Sequence, residues 1–413
     1  MKEIEELITK SIKNSSFFEN KYKDLNLKKI KSLNQIPTTS KTDLLKIASG
    51  SNIENDSLKN QSQGVFVRVT SGTTSKMSCF YRTQEEIYES IERFKIAAQE
   101  FKSNKKDKVM IISNPTLSYI FVEQFMKTGF FVTLGFPEQL ETTAEMIIQM
   151  KCNVIRATPP IALRLAKILN RRNYNDIDKL LLASSTLSSV GRERLKELFP
   201  KSTIIMQYGM AETAISLYQT KEEFGTQRYR TFNRDFIYEF LDLEKDENVN
   251  IGEIGELTIT KINTINPLVR YRTGDIFKII KQFEDGTYLI EMFGRKGDQI
   301  KVNGIVIFKE KIDEAILEFK DIFDGEYQIQ FDEINNENEI LSQLTLILKG
   351  TNPGENIIKN LIENFSNKFQ VSESFTWKEG ESLGLFAPIK IKFVEKFEGH
   401  KTLNIIDNRL QNG

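Results

Sequence analysis

From residue 64 to about residue 210, short runs rich in Val, Ile and Phe alternate with stretches of helical periodicity, a pattern that few architectures accommodate. Strand-like runs cover residues 64–69, 108–113, 130–134, 153–157, 179–182 and 203–207; helix-like runs cover 85–102, 138–150, 161–169 and 192–199. This is the signature of parallel βαβ units, whose sheets carry ligand-binding loops at the carboxyl ends of their strands. Chemistry is therefore expected after Val69, Leu182 and Gln207. Beyond Phe236 the texture changes to closely spaced strand signals, at 255–262, 268–272, 276–281 and 287–293, which predict an antiparallel subdomain. Residues 294–298 then lead into a mixed tail, with helix-like 309–319 and 356–369 among strand-like 326–331 and 344–348. The expected fold is α/β. A large N-terminal domain, residues 1–293, combines mainly parallel α/β sheets with the antiparallel β subdomain, and a small C-terminal α+β domain, residues 297–413, follows a hinge near 294–298.

Composition narrows the chemistry. Lys plus Arg and Asp plus Glu both number 57, so no global field gathers nucleic acid or an anionic membrane, and neither is expected as a partner. The sole histidine, His400, excludes mechanisms built on a histidine pair or a Ser-His-Asp triad. Cys79 and Cys152 are too few for a disulfide framework or a four-ligand zinc site, which points to a reducing compartment. The first turns carry Glu3, Glu5 and Glu6 rather than a basic-then-apolar leader, and no apolar run is long enough to span a bilayer, so a cytoplasmic location is expected. Catalysis must then rest on lysine, carboxylates, hydroxyls, backbone dipoles or a cofactor.

Three segments carry such groups. Thr70-Ser71-Gly72-Thr73-Thr74-Ser75-Lys76 follows a strand and gathers hydroxyls and a cation around one glycine. A loop of this kind wraps a polyphosphate, although it lacks the spacing of a Walker loop and a Ser/Thr-rich turn is an equal reading. Tyr208-Gly209-Met210-Ala211-Glu212-Thr213 also leaves a strand: Tyr208 would lie against a purine and Glu212 would bind the Mg²⁺ that accompanies ATP, or the pair is a buried tyrosine and a capping glutamate. Tyr271-Arg272-Thr273-Gly274-Asp275 ends one β run and begins another, so a tight turn would hold Asp275 where its oxygens accept from the ribose diol. The bland alternative is a turn aspartate that bonds its own backbone.

Taken together, six segments resemble the adenylate-forming superfamily of acyl-CoA synthetases, nonribosomal adenylation domains and luciferases, and within it the phenylacetate-CoA ligase-like branch. They are IPTTSKTDL, TSGTTSK, QYGMAET, GELTIT with NPLVRYRTGD, FGRKGDQIKVNG and EGHKTLNIIDNR, in the family's order and approximate spacing. The resemblance spans essentially the whole chain, and NPLVRYRTGD is its most specific part.

That resemblance implies an ATP-dependent acid-thiol ligase, in which a carboxylic acid becomes an acyl-adenylate with release of pyrophosphate and is then passed to CoA or to the phosphopantetheine of a carrier protein. An aryl or other apolar acid is the expectation for the branch. Transfer to an amine or protein acceptor is one alternative, and a catalytically weak nucleotide- or acyl-adenylate-binding protein is another. By the same resemblance Thr70, Ser71, Gly72, Thr73, Thr74 and Lys76 form the β,γ-phosphate loop, Tyr208 and Gly209 lie at adenine with Ser185 and Thr186 facing it, and Glu212 holds Mg²⁺. Asp275 binds the ribose hydroxyls, and Arg295 contacts ribose or phosphate beside a hinge at Gly297 and Asp298. Lys401 bridges the acid carboxylate and the α-phosphate, with Lys396 as its substitute; the small domain acts as a mobile lid. The sequence departs from the family at Ser75, usually glycine, at Met77, commonly proline, at Ala211, generally Thr or Ser, and at His400, which separates Gly399 from Lys401.

Overall fold

The computed structural model describes residues 6, 9, 15–26, 29–48, 64–70, 78–102, 107–113, 115–184, 187, 189–261, 265, 267–296, 299–302, 305–336, 339–371, 376–397 and 405–407. The chain packs into two compact units, Met1–Ser185 with Lys201–Met292, and Thr186–Pro200 with Phe293–Gly413.

In the first unit, β1 (Phe66–Thr70) and β2 (Ser78–Arg82) form an antiparallel hairpin, with Thr70 opposite Ser78. The run expected at 64–69 is thus a strand, but it lies outside the parallel sheet. Its partner follows only eight residues later, too short a connection for a parallel crossover. The parallel half comprises β3 (Lys108–Ile112), β4 (Phe131–Gly135), β5 (Val154–Ala157), β6 (Lys179–Ala183) and β7 (Thr203–Met210), ordered β4-β3-β5-β6-β7. Every residue of β5 and β6 is buried, as expected of strands covered on both faces.

Helices at Gln84–Phe101, Leu140–Met150 and Pro159–Arg171 follow the sequence pattern. The first starts at a capping box: the Thr83 hydroxyl accepts from the Glu86 N–H, and the Glu86 carboxylate accepts from the Thr83 N–H. A further helix, Pro115–Lys127, is absent from the sequence reading. Its stretch Ile120-Phe121-Val122 and the pair Phe125-Met126 blur the period that would reveal an amphipathic helix.

β7 is the junction of the sheet. Residues 203–207 pair parallel with β6, and residues 208–210 pair antiparallel with β8 (Ala214–Tyr218). The antiparallel half continues with β9 (Arg228–Thr231), β10 (Ile237–Leu241), β11 (Ile254–Lys261), β12 (Leu268–Gln282) and β13 (Tyr288–Arg295). The complete order is β10-β11-β12-β13-β9-β8-β7-β6-β5-β3-β4. The two runs expected at 268–272 and 276–281 are one strand of 15 residues. Glu256 pairs with Ile276 and Thr258 with Arg272, so the tight turn expected around Asp275 is instead a bulge with two extra residues on β12.

The second unit contains a hairpin of β14 (Gln299–Val302) and β15 (Ile305–Phe308) and a four-stranded sheet. That sheet is built from β16 (Tyr327–Asn336), β17 (Glu339–Lys349), β18 (Lys390–Val394) and β19 (Ile405–Asp407), ordered β18-β17-β16-β19. Helices Lys309–Ile316 and Glu355–Lys368 contribute Ile316 and Phe365 to its core. Trp377 anchors this core, stacked on Phe386 with ring centroids 4.3 Å apart. Its ring N–H donates to the Ala387 carbonyl at 3.1 Å, which permits full burial. Mixed α/β layers, an antiparallel region and a C-terminal α+β region are all present, as the sequence implies. Among the described residues no helix is long and apolar enough to cross a membrane.

Candidate active site

The β12 bulge is built by side chains that bond the backbone. Thr273 Oγ1 donates to the Leu257 carbonyl at 2.8 Å, Gly274 N–H donates to Glu256 Oε1 at 3.0 Å, and Asp275 N–H donates to Thr273 Oγ1 at 3.1 Å. Gly274 adopts φ +79°, a conformation that glycine enters without Cβ strain. The bulge brings Asp275, only 4% exposed, to the Tyr208 hydroxyl, which donates to its Oδ2 at 2.5 Å. The Tyr208 ring is fixed edge-on against Phe277, 5.6 Å away, and Tyr229, 6.1 Å away.

A second pair runs the other way. Tyr271 donates its hydroxyl to Glu212 Oε1 at 3.3 Å. The tyrosine of QYGMAET thus meets the carboxylate of YRTGD, and the tyrosine of YRTGD meets the carboxylate of QYGMAET. Segments some sixty residues apart in sequence are cross-linked by two tyrosine–carboxylate bonds.

Arginines hold the turn that carries Glu212. Arg68 Nη1 donates to the Met210 carbonyl at 3.2 Å, Arg82 Nη2 to the Ala211 carbonyl at 2.6 Å, and Arg93 Nη2 to the Thr213 carbonyl at 3.2 Å. Burial pushes the Arg68 guanidinium down to about 10; the Arg82 charge adds to the depression and Glu212 opposes it. Gly209 is required for packing, since a Cβ there would lie 2.3 Å from the Ala214 carbonyl oxygen across the β7–β8 turn. Ala211, the departure from the family's hydroxyl residue, belongs to an apolar cluster with Phe18, Tyr22, Phe80 and Leu268.

IPTTSKTDL also has a structural role here. Thr39 N–H donates to the Arg270 carbonyl and Arg272 N–H to the Thr39 carbonyl, both at 2.9 Å, while Thr39 Oγ1 donates to the Val269 carbonyl at 2.7 Å. The N-terminal segment is therefore hydrogen-bonded to the strand that carries Asp275.

Of the expected site residues, Tyr208, Gly209, Glu212 and Asp275 converge, and Thr70 ends β1. Arg295 is exposed at the end of β13, and Lys396 is exposed after β18. Ser71, Gly72, Thr73, Thr74, Lys76, Ser185, Thr186 and Lys401 lie outside the described residues, as do Ser75, Met77, Gly297, Asp298 and His400. Among the described residues no cluster of three or more His, Cys, Asp or Glu side chains stands ready to hold a metal ion. The half-buried Glu212 carboxylate is a hard oxygen donor that fits Mg²⁺ shared with phosphate oxygens.

A pocket opens at the carboxyl ends of β6 and β7, as expected for a parallel sheet. It is lined by Ser184, Gln207, Tyr208, Arg68, Arg156 and Phe121 among others, and its cavity measures about 50 Å³. Ala183 and Ser184 also line it, and helices Gln84–Phe101 and Pro115–Lys127 add Phe94, Ile120 and Gln124 to the wall. Arg68, Arg156 and Gln207 were missed. Arg156 had a visible signal, a cation inside the otherwise apolar run Val154-Ile155-Arg156-Ala157 of a buried strand.

With this geometry in place, likeness to known proteins becomes informative. The model of the family described as AMP-binding enzyme matches residues 7–266. Phenylacetate-coenzyme A ligase of Pseudomonas putida is 25% identical over 196 residues, which are 45% of this chain and 43% of that protein. The chain thus matches less than half the length of this curated relative. A solved 2-hydroxyisobutyryl-CoA ligase, in the postadenylation state in complex with R3-HIB-AMP, superimposes with a TM-score of 0.76 at 16% identity, over 99% of this chain and 88% of that one. An amide bond synthetase from Marinactinospora thermotolerans gives a TM-score of 0.57 at 16% identity, over 80% of this chain and 65% of that one. At such identities the structural likeness is one of fold, the fold of adenylate-forming ligases. The family model covers more than half of the sequence and includes the turn that carries Tyr208 and Glu212, so this chain belongs to the AMP-binding enzyme family.

Proposed function

We propose that the chain activates a carboxylic acid with ATP and passes the resulting acyl-adenylate to a thiol, CoA or a carrier-protein phosphopantetheine. The observation that supports this reading is the reciprocal pairing of Tyr208 with Asp275 and of Tyr271 with Glu212, which brings two carboxylates into one site. In the first step a carboxylate oxygen of the acid attacks the α-phosphorus, the bond from that phosphorus to the β-phosphate oxygen breaks, and pyrophosphate leaves. The thiol then displaces AMP from the acyl carbon and loses its proton. No protein nucleophile is needed.

Asp275 accepts from the ribose hydroxyls, and Tyr208 fixes the carboxylate that does so. Glu212, held by Tyr271, is the ligand for Mg²⁺; when bound, that ion neutralises charge on the phosphates. The hydroxyl-rich segment from Thr70 to Lys76 orients the leaving pyrophosphate. Lys401 supplies the cation that stabilises the charge that builds as two anions approach each other. Arg295 contacts ribose or phosphate beside a hinge near residues 294–298, about which the small domain, residues 297–413, turns as a mobile lid between the two steps. The two cysteines, neither in a disulfide, are consistent with a cytoplasmic location. Resemblance to the phenylacetate-CoA ligase branch favours an aryl or other apolar acid, whereas the arginines of the pocket favour a different class.

ATP–pyrophosphate exchange across a panel of aryl and short acyl acids tests the first step, and removing the Lys401 ammonium with Lys401→Ala should lower exchange on the order of a hundredfold to a thousandfold. Full exchange in that variant would refute the role of Lys401. Product analysis with CoA, a carrier protein and an amine identifies the acceptor; formation of amide alone would refute the thiol assignment.

A further inference from the structure

Among the described residues, three buried side-chain nitrogens of the pocket lining have no hydrogen-bond partner: Arg68 Nε, Arg156 Nε and Gln207 Nε2. All three are N–H donors, and the two arginine nitrogens are donors whichever way the Gln207 amide is turned. Buried side-chain donors left without a partner are matched by an occupant that brings acceptors.

Arg156 is the more unusual of the two cations. Ile111, Arg156, Leu181 and Ile205 form one row across β3, β5, β6 and β7, a row that is otherwise aliphatic. Arg156 is 3% exposed, and its guanidinium lies over the Phe121 ring, 3.4 Å from the centroid. Among the described residues no carboxylate pairs with it. Burial first, and then the charge of Arg68, push its guanidinium down to about 9. Arg68 is held by the Met210 carbonyl and faces the charges of Arg82 and Glu212. A ring face compensates a buried cation only in part, and proteins ordinarily give such a cation an anion.

We infer that the acid activated here carries a second anionic group, a second carboxylate on a short chain, which Arg156 and Arg68 hold while the first carboxylate is adenylated. The inference rests on the proposed acid-activating function and names its substrate class. Arg68, Arg156 and Gln207 line the same cavity, so one occupant can meet all three donors.

The test is ATP–pyrophosphate exchange by the full chain with malonate, succinate and glutarate, each set against the monoacid of equal chain length, propionate, butyrate and valerate, with phenylacetate alongside. At least one diacid is expected to exceed its matched monoacid tenfold or more in kcat/KM. Arg156→Met should lower that diacid-to-monoacid ratio about a hundredfold, mainly through KM for the diacid, and Arg156→Lys should restore part of it. Where Arg156→Met fails to fold, Gln207→Glu, which sets an anion against the diacid, should lower the same ratio. Monoacids or phenylacetate preferred over every diacid, or a ratio unchanged by all three substitutions, would overturn the diacid inference and leave acid activation standing. Exchange with none of these acids but with others of a wider panel also overturns only the inference. Silence with every acid refutes acid activation and the inference together.

Discussion

Arg270 and Arg156 are both almost wholly buried, on strands of the same sheet, and they differ in every other respect. Arg270, in the antiparallel half, donates to both Glu239 oxygens and to the carbonyls of Ile36 and Asn34. Arg156, in the parallel half, has a ring face and an unused Nε. The first cation is satisfied by the fold and secures the N-terminal segment against β12. The second is left unsatisfied at the carboxyl end of a parallel strand, where such sheets bind ligands. Burial alone does not separate a structural charge from a binding one; the partners do.

The largest effect on stability should follow from breaking the satisfied member. Arg270→Met strands Glu239 as a buried charge and should cost about 3–5 kcal/mol, measured by equilibrium denaturation. Arg156→Met removes a cation without a counter-charge and should leave stability unchanged or raised in the same experiment. Equal losses in the two variants would erase the distinction.

Asp275→Ala should raise KM for ATP about tenfold to hundredfold, because hydrogen bonds to a charged group contribute about 1.5–3 kcal/mol, while KM for the acid should move much less. Gly209→Ala forces a methyl against the Ala214 carbonyl and should destabilise by about 1–3 kcal/mol, visible as a lower denaturation midpoint. Tyr208→Phe should have the smallest effect, about 0.5–1.5 kcal/mol, read as a few-fold increase in KM for ATP. A Tyr208→Phe enzyme as impaired as Asp275→Ala would mean that the tyrosine itself touches the nucleotide.

The sequence displayed much of this architecture because buried parallel strands and amphipathic helices leave strong periodic traces. β3, β5, β6 and β7 lie close to where the hydrophobic runs placed them. The helix Pro115–Lys127 escaped because the adjacent apolar residues Ile120-Phe121-Val122 and Phe125-Met126 blur its helical period. β1 was assigned to the wrong sheet because a strand's residues do not specify its partner; the short connection to β2 was the better clue. Tyr208, Glu212 and Asp275 were legible as residue types in a familiar order, but their reciprocal bonds were not. Those bonds depend on a bulge that places Asp275 opposite Tyr208, and the run Thr273-Gly274-Asp275 reads equally well as a turn. The pocket arginines were the least legible. Arg68 and Arg156 are far apart in sequence, and only pairing across β3, β5 and β6 shows that Arg156 occupies an aliphatic row.

The central claim is that Asp275, oriented by Tyr208, grips the vicinal hydroxyls of a nucleotide. Calorimetric titration of the wild-type chain and of Asp275→Ala with ATP and with 2′,3′-dideoxy-ATP measures it directly. The wild type should bind ATP at least tenfold more tightly than the dideoxy compound, and Asp275→Ala should bind the two alike. Equal affinity of the wild-type chain for both nucleotides would contradict the account.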